Sequence, residues 1–209
     1  MEKMNSAFYL TGGTALSRCY LHHRYSDDLD FFVNDHPGFK SETSQAISIF
    51  KSISKWEIEI GTVSDSFVRL VIKEKEITLK VDFVNDIKFH RGEFQTFDIY
   101  RKVDNLDNIL SNKICALSRM DAKDIIDILF IAKNHRFDWE KIFKDAQEKD
   151  LWVEPLTICK ILNEFPVILM ENIKWIGEVD TNQLTHPLKI LTEDVFYGRP
   201  NSLVTAGIY

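Results

Sequence analysis

Leu10-Thr11-Gly12-Gly13-Thr14-Ala15-Leu16, followed by Arg24-Tyr25-Ser26-Asp27-Asp28-Leu29-Asp30-Phe31-Phe32, is the stretch that decides how this chain reads. A double glycine lets backbone amides press against a phosphate, and two carboxylates one residue apart in an apolar run suit a divalent cation holding that phosphate. The combination points to chemistry on a nucleotide.

Around it the elements follow from hydropathy. Ala7 to Thr11 reads as a short buried strand that breaks at Gly12-Gly13, with Thr14 capping a helix to about His23. Leu29 to Val33 reads as a second strand, and Pro37-Gly38 ends it before a helix carrying Ala46, Ile47, Phe50 and Ile53. Strands follow at Trp56 to Val63, Phe67 to Lys73 and Ile77 to Val84. The last alternates, so Asp82 faces away from Ile77, Leu79, Val81 and Phe83. From about Asp104 the period becomes helical: Leu106 to Ser118, Asp121 to Asn134, Trp139 to Glu148, a segment from Pro155 interrupted by Pro166, and Gln183 to Val195. The fold class expected is α+β, a mixed-sheet core over residues 1–104 followed by a helical domain over 105–209.

Composition narrows the function classes. With 209 residues and 44% hydrophobic content the chain supports a sizeable core, and a formal charge of −6 argues against a surface that tracks nucleic acid throughout. Cys19, Cys115 and Cys159 lie far apart without CxxC spacing, which argues against a disulfide framework or zinc site and predicts reduced, buried thiols. Residues 1–6 lack the apolar core of a signal peptide and no apolar run is long enough to span a bilayer, so a cytoplasmic protein with no membrane partner is expected.

Residues two apart in a strand share a face, so Asp28 and Asp30 project side by side and repel unless a cation sits between them. Mg2+ (or Mn2+) meets that demand, with Asp82 as a third ligand and as acceptor of a proton from an attacking hydroxyl. Gly12 and Gly13 offer amides to the phosphates of an NTP, and Thr14 and Ser26 offer hydroxyls. On the helix from Leu106, Lys113 takes a place in the apolar stripe of Ile109, Leu110 and Leu117. Its ammonium either snorkels to water or reaches an anion, the triphosphate being the favoured one. Asp121 and Asp124 suit the first turn of the next helix, where Lys123 can pair with Asp127. His22-His23 reads as surface or capping residues without a role.

Taken together, Leu10 to Leu16, Arg24 to Phe32, Asp82, Lys113, Arg119 and Lys123-Asp124-Ile125-Ile126-Asp127 resemble the AbiEii-type nucleotidyltransferases, toxins of type IV toxin–antitoxin and abortive-infection systems, over roughly residues 7 to 135. The resemblance implies a DNA polymerase β-like nucleotidyltransferase core. It also implies metal ligation by Asp28, Asp30 and Asp82, NTP contacts from Gly12, Gly13, Ser26 and Lys113, and a further active-site acid at Asp124. An RNA or tRNA acceptor and a cognate antitoxin acting without a stable complex are implied with it. The competing reading is a catalytically silent nucleotide-binding regulatory or interaction module, against which the intact set of mutually repelling carboxylates counts. A metal-dependent phosphodiesterase is a third.

Overall fold

The structure, a computed structural model, describes residues 6–204. The N-terminal residues on which much of the reading of a leader rests therefore lie outside the described residues. Two compact units emerge: one from the described residues up to Ala15 together with Ser26–Asp104, the other from Leu16–Tyr25 and the chain from Asn105 onward.

The first unit is an α+β fold built on a mixed sheet. Its strands among the described residues are β1 (Tyr9–Thr11), β2 (Asp28–Asn34), β3 (Glu57–Val63), β4 (Phe67–Glu74), β5 (Ile77–Asp86), β6 (Gln95–Phe97) and β7 (Tyr100–Val103), in the order β3-β4-β5-β2-β1-β7-β6. β2 pairs in parallel with β5 and β1 with β7, while the remaining neighbours are antiparallel. β6 and β7 have no counterpart in the sequence reading, because three- and four-residue strands carry too few alternations to register.

Alternation then sorts the two faces of the sheet. Phe31 and Val33 of β2, Val68, Leu70 and Ile72 of β4, and Val81 and Phe83 of β5 are buried. Helix α2 (Phe39–Lys51) supplies Phe39, Ala46 and Phe50 to the same core. Phe83 is the hub: its ring centroid lies 4.8 Å from Phe8, 5.7 Å from Phe31 and 6.5 Å from Phe50. The opposite face carries the polar residues of the same strands.

The second unit is helical, with α3 (Leu106–Ala116), α4 (Ala122–Asn134), α5 (Trp139–Lys149), α6 (Pro155–Glu164) and α7 (Thr185–Tyr197). α3 packs on α4 and α5, and α6 on α7. Asn105, Asp121 and Asp138 each cap a helix by accepting from a backbone N–H. Leu16–Tyr25 joins this unit, held by backbone bonds from Tyr25 N to Lys174 O (2.7 Å) and from Ile176 N to His23 O (3.1 Å). Cys159 is buried as expected, whereas Cys19 and Cys115 are half-exposed. No helix among the described residues is long and apolar enough to cross a membrane.

Phe83→Ala empties a fully enclosed aromatic site and is expected to cost about 3–5 kcal/mol in urea-induced unfolding. A loss under about 1 kcal/mol would show that the sheet and α2 are not packed around this ring.

Candidate active site

The glycine turn and the first aspartate pair meet through strand register. β1 ends at Thr11, whose partner across the ladder is Asp30. Gly12 follows with φ +69°, and a Cβ built there would lie 2.5 Å from Asp30 Oδ2. Only glycine permits both that backbone conformation and so close a carboxylate. The helical turn begins at Gly12, as α1 (Gly12–Ala15), and widens into a π-helical turn over Leu16–Tyr20. Thr14 is therefore inside the helix and not its cap, and its buried hydroxyl donates to the backbone carbonyl of Asp28. Ser26 is half-exposed just before β2.

The parallel ladder of β2 and β5 sets Asp30 opposite Asp82 and Asp28 opposite Lys80. The antiparallel ladder of β4 and β5 sets Arg69 opposite Asp82. Ladder partners share a face, so Arg69, Asp82, Asp30 and Thr11 form one row across four strands, with Lys80 and Asp28 beside it. Strands lie about 4.8 Å apart. At that spacing two unit charges repel by roughly 3 kcal/mol at an effective dielectric constant of about 20.

Two basic residues answer that repulsion. Arg69 donates from Nε to Asp82 Oδ1 (2.8 Å) and from Nη2 to Asp82 Oδ2 (2.7 Å), a fork that engages both oxygens. Its hydrogen bonds to Asp82, with the nearby charges of Asp28 and Asp30, hold the guanidinium above its ordinary pKa. Lys80 Nζ lies 2.6 Å from Asp28 Oδ2. Beyond Thr11 the row closes on the buried Asp104, which accepts from the Thr11 hydroxyl (2.6 Å) and lies 3.0 Å from His90 Nε2.

The donor set suits a hard divalent cation: three carboxylates on one face, on adjacent rungs, against a glycine that leaves room for one of them. With Asp82 held by Arg69 and Asp28 by Lys80, no group of three His, Cys, Asp or Glu among the described residues closes around a point where a metal could sit. Residue type and register fit the ion, and the two salt bridges compete with it for these carboxylates.

The second unit holds Lys113 and Asp124, and the anion that Lys113 reaches there is the protein's own. Its ammonium lies 2.8 Å from Asp124 Oδ1 and 2.6 Å from Asp127 Oδ2, and Arg119 Nη2 lies 3.0 Å from Asp124 Oδ2. Asp127 does not pair outward with Lys123. It is fully buried, accepting from Arg24 Nε (2.7 Å) and Nη2 (2.6 Å), with His23 Nε2 at 2.8 Å from its Oδ1. His23 and Arg24, given no role by the sequence reading, are thus buried members of an ionic network. Burial alone would raise the Asp127 pKa; the Lys113 charge and the bonds from His23 and Arg24 outweigh it and hold the carboxyl well below the usual range.

The model of a protein family, the nucleotidyl transferase AbiEii toxin of type IV toxin–antitoxin systems, matches residues 2–163. The chain belongs to the AbiEii family. It is therefore a nucleotidyltransferase enzyme, a toxin of a type IV system, and its family implies an NTP substrate. Protein aq_aa25 of Aquifex aeolicus (strain VF5) is 29% identical over 168 residues, spanning 76% of this chain and 73% of its own. Among solved structures, JHP933 from Helicobacter pylori superposes with a TM-score of 0.59 at 20% identity, over 92% of this chain and 85% of that one. MenT4, a nucleotidyltransferase toxin from Mycobacterium tuberculosis H37Rv, gives 0.59 at 15% identity over 93% and 78%. At such identities the likeness is one of fold. The AbiEii assignment rests on the family model.

Asp127→Asn removes the charge shared by Arg24 and Lys113 and is expected to cost about 3–5 kcal/mol at neutral pH. Because the folded pKa lies below the unfolded value of about 3.9, the contribution is complete above that value and fades as pH falls through the range beneath it. Urea titrations at stepped pH should show wild-type stability dropping below about pH 4 with a shallower drop in Asp127→Asn. Parallel curves would place the acid sensitivity elsewhere.

Proposed function

We propose that this AbiEii enzyme transfers a nucleoside monophosphate from an NTP to a hydroxyl of RNA, with a tRNA-like acceptor, in a reaction that depends on Mg2+ or Mn2+ held by Asp28, Asp30 and Asp82. The observation that carries the reading is the register of β2 against β5, which sets Asp30 opposite Asp82 beside Gly12. Held by Asp28, Asp30 and Asp82, a divalent cation would supply charge to the phosphates and acidify the attacking hydroxyl.

The protein's own groups do the rest by position and charge. Amides at Gly12 and Gly13 face the phosphates, and the Ser26 hydroxyl adds a donor at the start of β2. Thr14 acts on the aspartate, fixing the backbone of Asp28 through its carbonyl. Lys113, steadied by Asp124 and Asp127, contributes a phosphate contact, and Asp124 acts as the further acid; these two roles rest on the family likeness. The acceptor oxygen attacks the α-phosphorus, the bond from that phosphorus to the bridging oxygen breaks, pyrophosphate leaves, and Asp82 takes the hydroxyl proton. The sheet unit serves as the nucleotidyltransferase core. NTP and RNA as substrates place the activity in the cytoplasm, where a cognate antitoxin acts without a stable complex.

Four α-labelled NTPs, each incubated with total RNA and Mg2+, test this. Label is expected to enter RNA with one base preferred, and Asp30→Ala to lower transfer by at least about a hundredfold. Equal transfer by both proteins would remove the mechanism, and nucleotide binding without transfer would favour a silent binding module.

A further inference from the structure

The acid row arrives with its own cations. Arg69 engages both oxygens of Asp82, and Lys80 engages Asp28. The Arg69 fork takes one lone pair on each Asp82 oxygen and the Lys80 ammonium one on Asp28 Oδ2, and both positive charges oppose the approach of a metal to these carboxylates. Three aspartates, one arginine and one lysine carry a net charge of −1. A single divalent cation added to that set reverses its sign, and a second makes it strongly positive. The excess is what a triphosphate neutralises.

Both cations are built to move. The Arg69 side chain is 41% exposed although the carboxylate it holds is 9% exposed, and that of Lys80 is 34% exposed. The Arg69 guanidinium carbon lies 5.2 Å from the centroid of the Phe67 ring on the same face, a second contact for the head beside Asp82. A guanidinium fork matches two phosphate oxygens as well as two carboxylate oxygens, so the transfer preserves its hydrogen bonds.

We propose that Arg69 and Lys80 are placeholders for the metal: they neutralise Asp82 and Asp28 in the ion-free protein and pass to the oxygens of the incoming triphosphate when a divalent cation takes the carboxylates. This rests on the metal-dependent reading above. It makes binding of metal and triphosphate mutually reinforcing, because each relieves the charge the other creates. Arg69 and Lys80 thereby become substrate-binding residues that neither the glycine turn nor the aspartate motif discloses.

Calorimetry on the full chain separates the two halves of the idea, with Mn2+ alone as one titrant and inorganic tripolyphosphate in saturating Mn2+ as the other. Arg69→Ala is expected to bind Mn2+ alone about tenfold tighter and tripolyphosphate about tenfold weaker, with Lys80→Ala moving both constants the same way by less. Arg69→Lys, which keeps the charge without the fork, should bind tripolyphosphate within about threefold of wild type and also guards against a misfolded alanine variant. Weaker or unchanged Mn2+ binding in Arg69→Ala overturns the proposal, since Arg69 then only props Asp82 in place. If wild type binds Mn2+ and Asp30→Asn does not, such a result leaves the metal site standing. If neither wild type nor any variant binds Mn2+, the metal reading fails and takes this proposal with it.

Discussion

Parallel pairing of β2 with β5 brings like charges onto neighbouring rungs, and the rest of the first unit is arranged around that conflict. Asp30 faces Asp82 across the ladder while Asp28 stands two residues away on the same face. An apolar core on the other side, centred on Phe83, supplies the stability that lets such a row exist. Arg69 and Lys80 offset part of the repulsion at its two corners, and Gly12 makes the close approach of Asp30 to the first turn sterically possible. A sheet face so charged has little value as packing and great value as a place for cations and phosphates.

The second unit solves a similar problem in the opposite sense. Asp127 is buried and receives hydrogen bonds or charge from His23, Arg24 and Lys113, which compensate its ionised form. The network fixes Lys113 and ties the segment before Ser26 to α4 through the side chains of His23 and Arg24, while its backbone bonds run to Lys174 and Ile176. A chain of this design uses buried ion pairs as positional devices, accepting a desolvation cost that apolar residues would not incur.

Much of this was legible in the sequence. Alternation in β5 was strong enough to place Asp82 on the polar face, and the Gly-Gly turn with the paired aspartates located the first motifs. The helices from Leu106 onward follow their apolar stripes to within a turn. Arg69 was missed although its signal was present: Phe67 to Glu74 and Ile77 to Asp86 are joined through only Lys75 and Glu76, and a two-residue turn fixes the register that sets Arg69 against Asp82. Asp127 stands between isoleucines in Asp124-Ile125-Ile126-Asp127-Ile128, where an acid in an apolar run implies a buried partner; which residue supplies it depends on long-range packing. The pairing of β2 with β5 has no local signature, because residues far apart in sequence must meet before it forms.

Diffraction at the manganese absorption edge from crystals soaked in Mn2+ and tripolyphosphate locates the ion and the Arg69 guanidinium in one experiment. An anomalous peak bounded by carboxylate oxygens of Asp28, Asp30 and Asp82 beside Gly12 is expected, with the Arg69 fork released from Asp82. Saturating Mn2+ with no peak at these residues, and Arg69 still holding both oxygens of Asp82, would contradict this expectation.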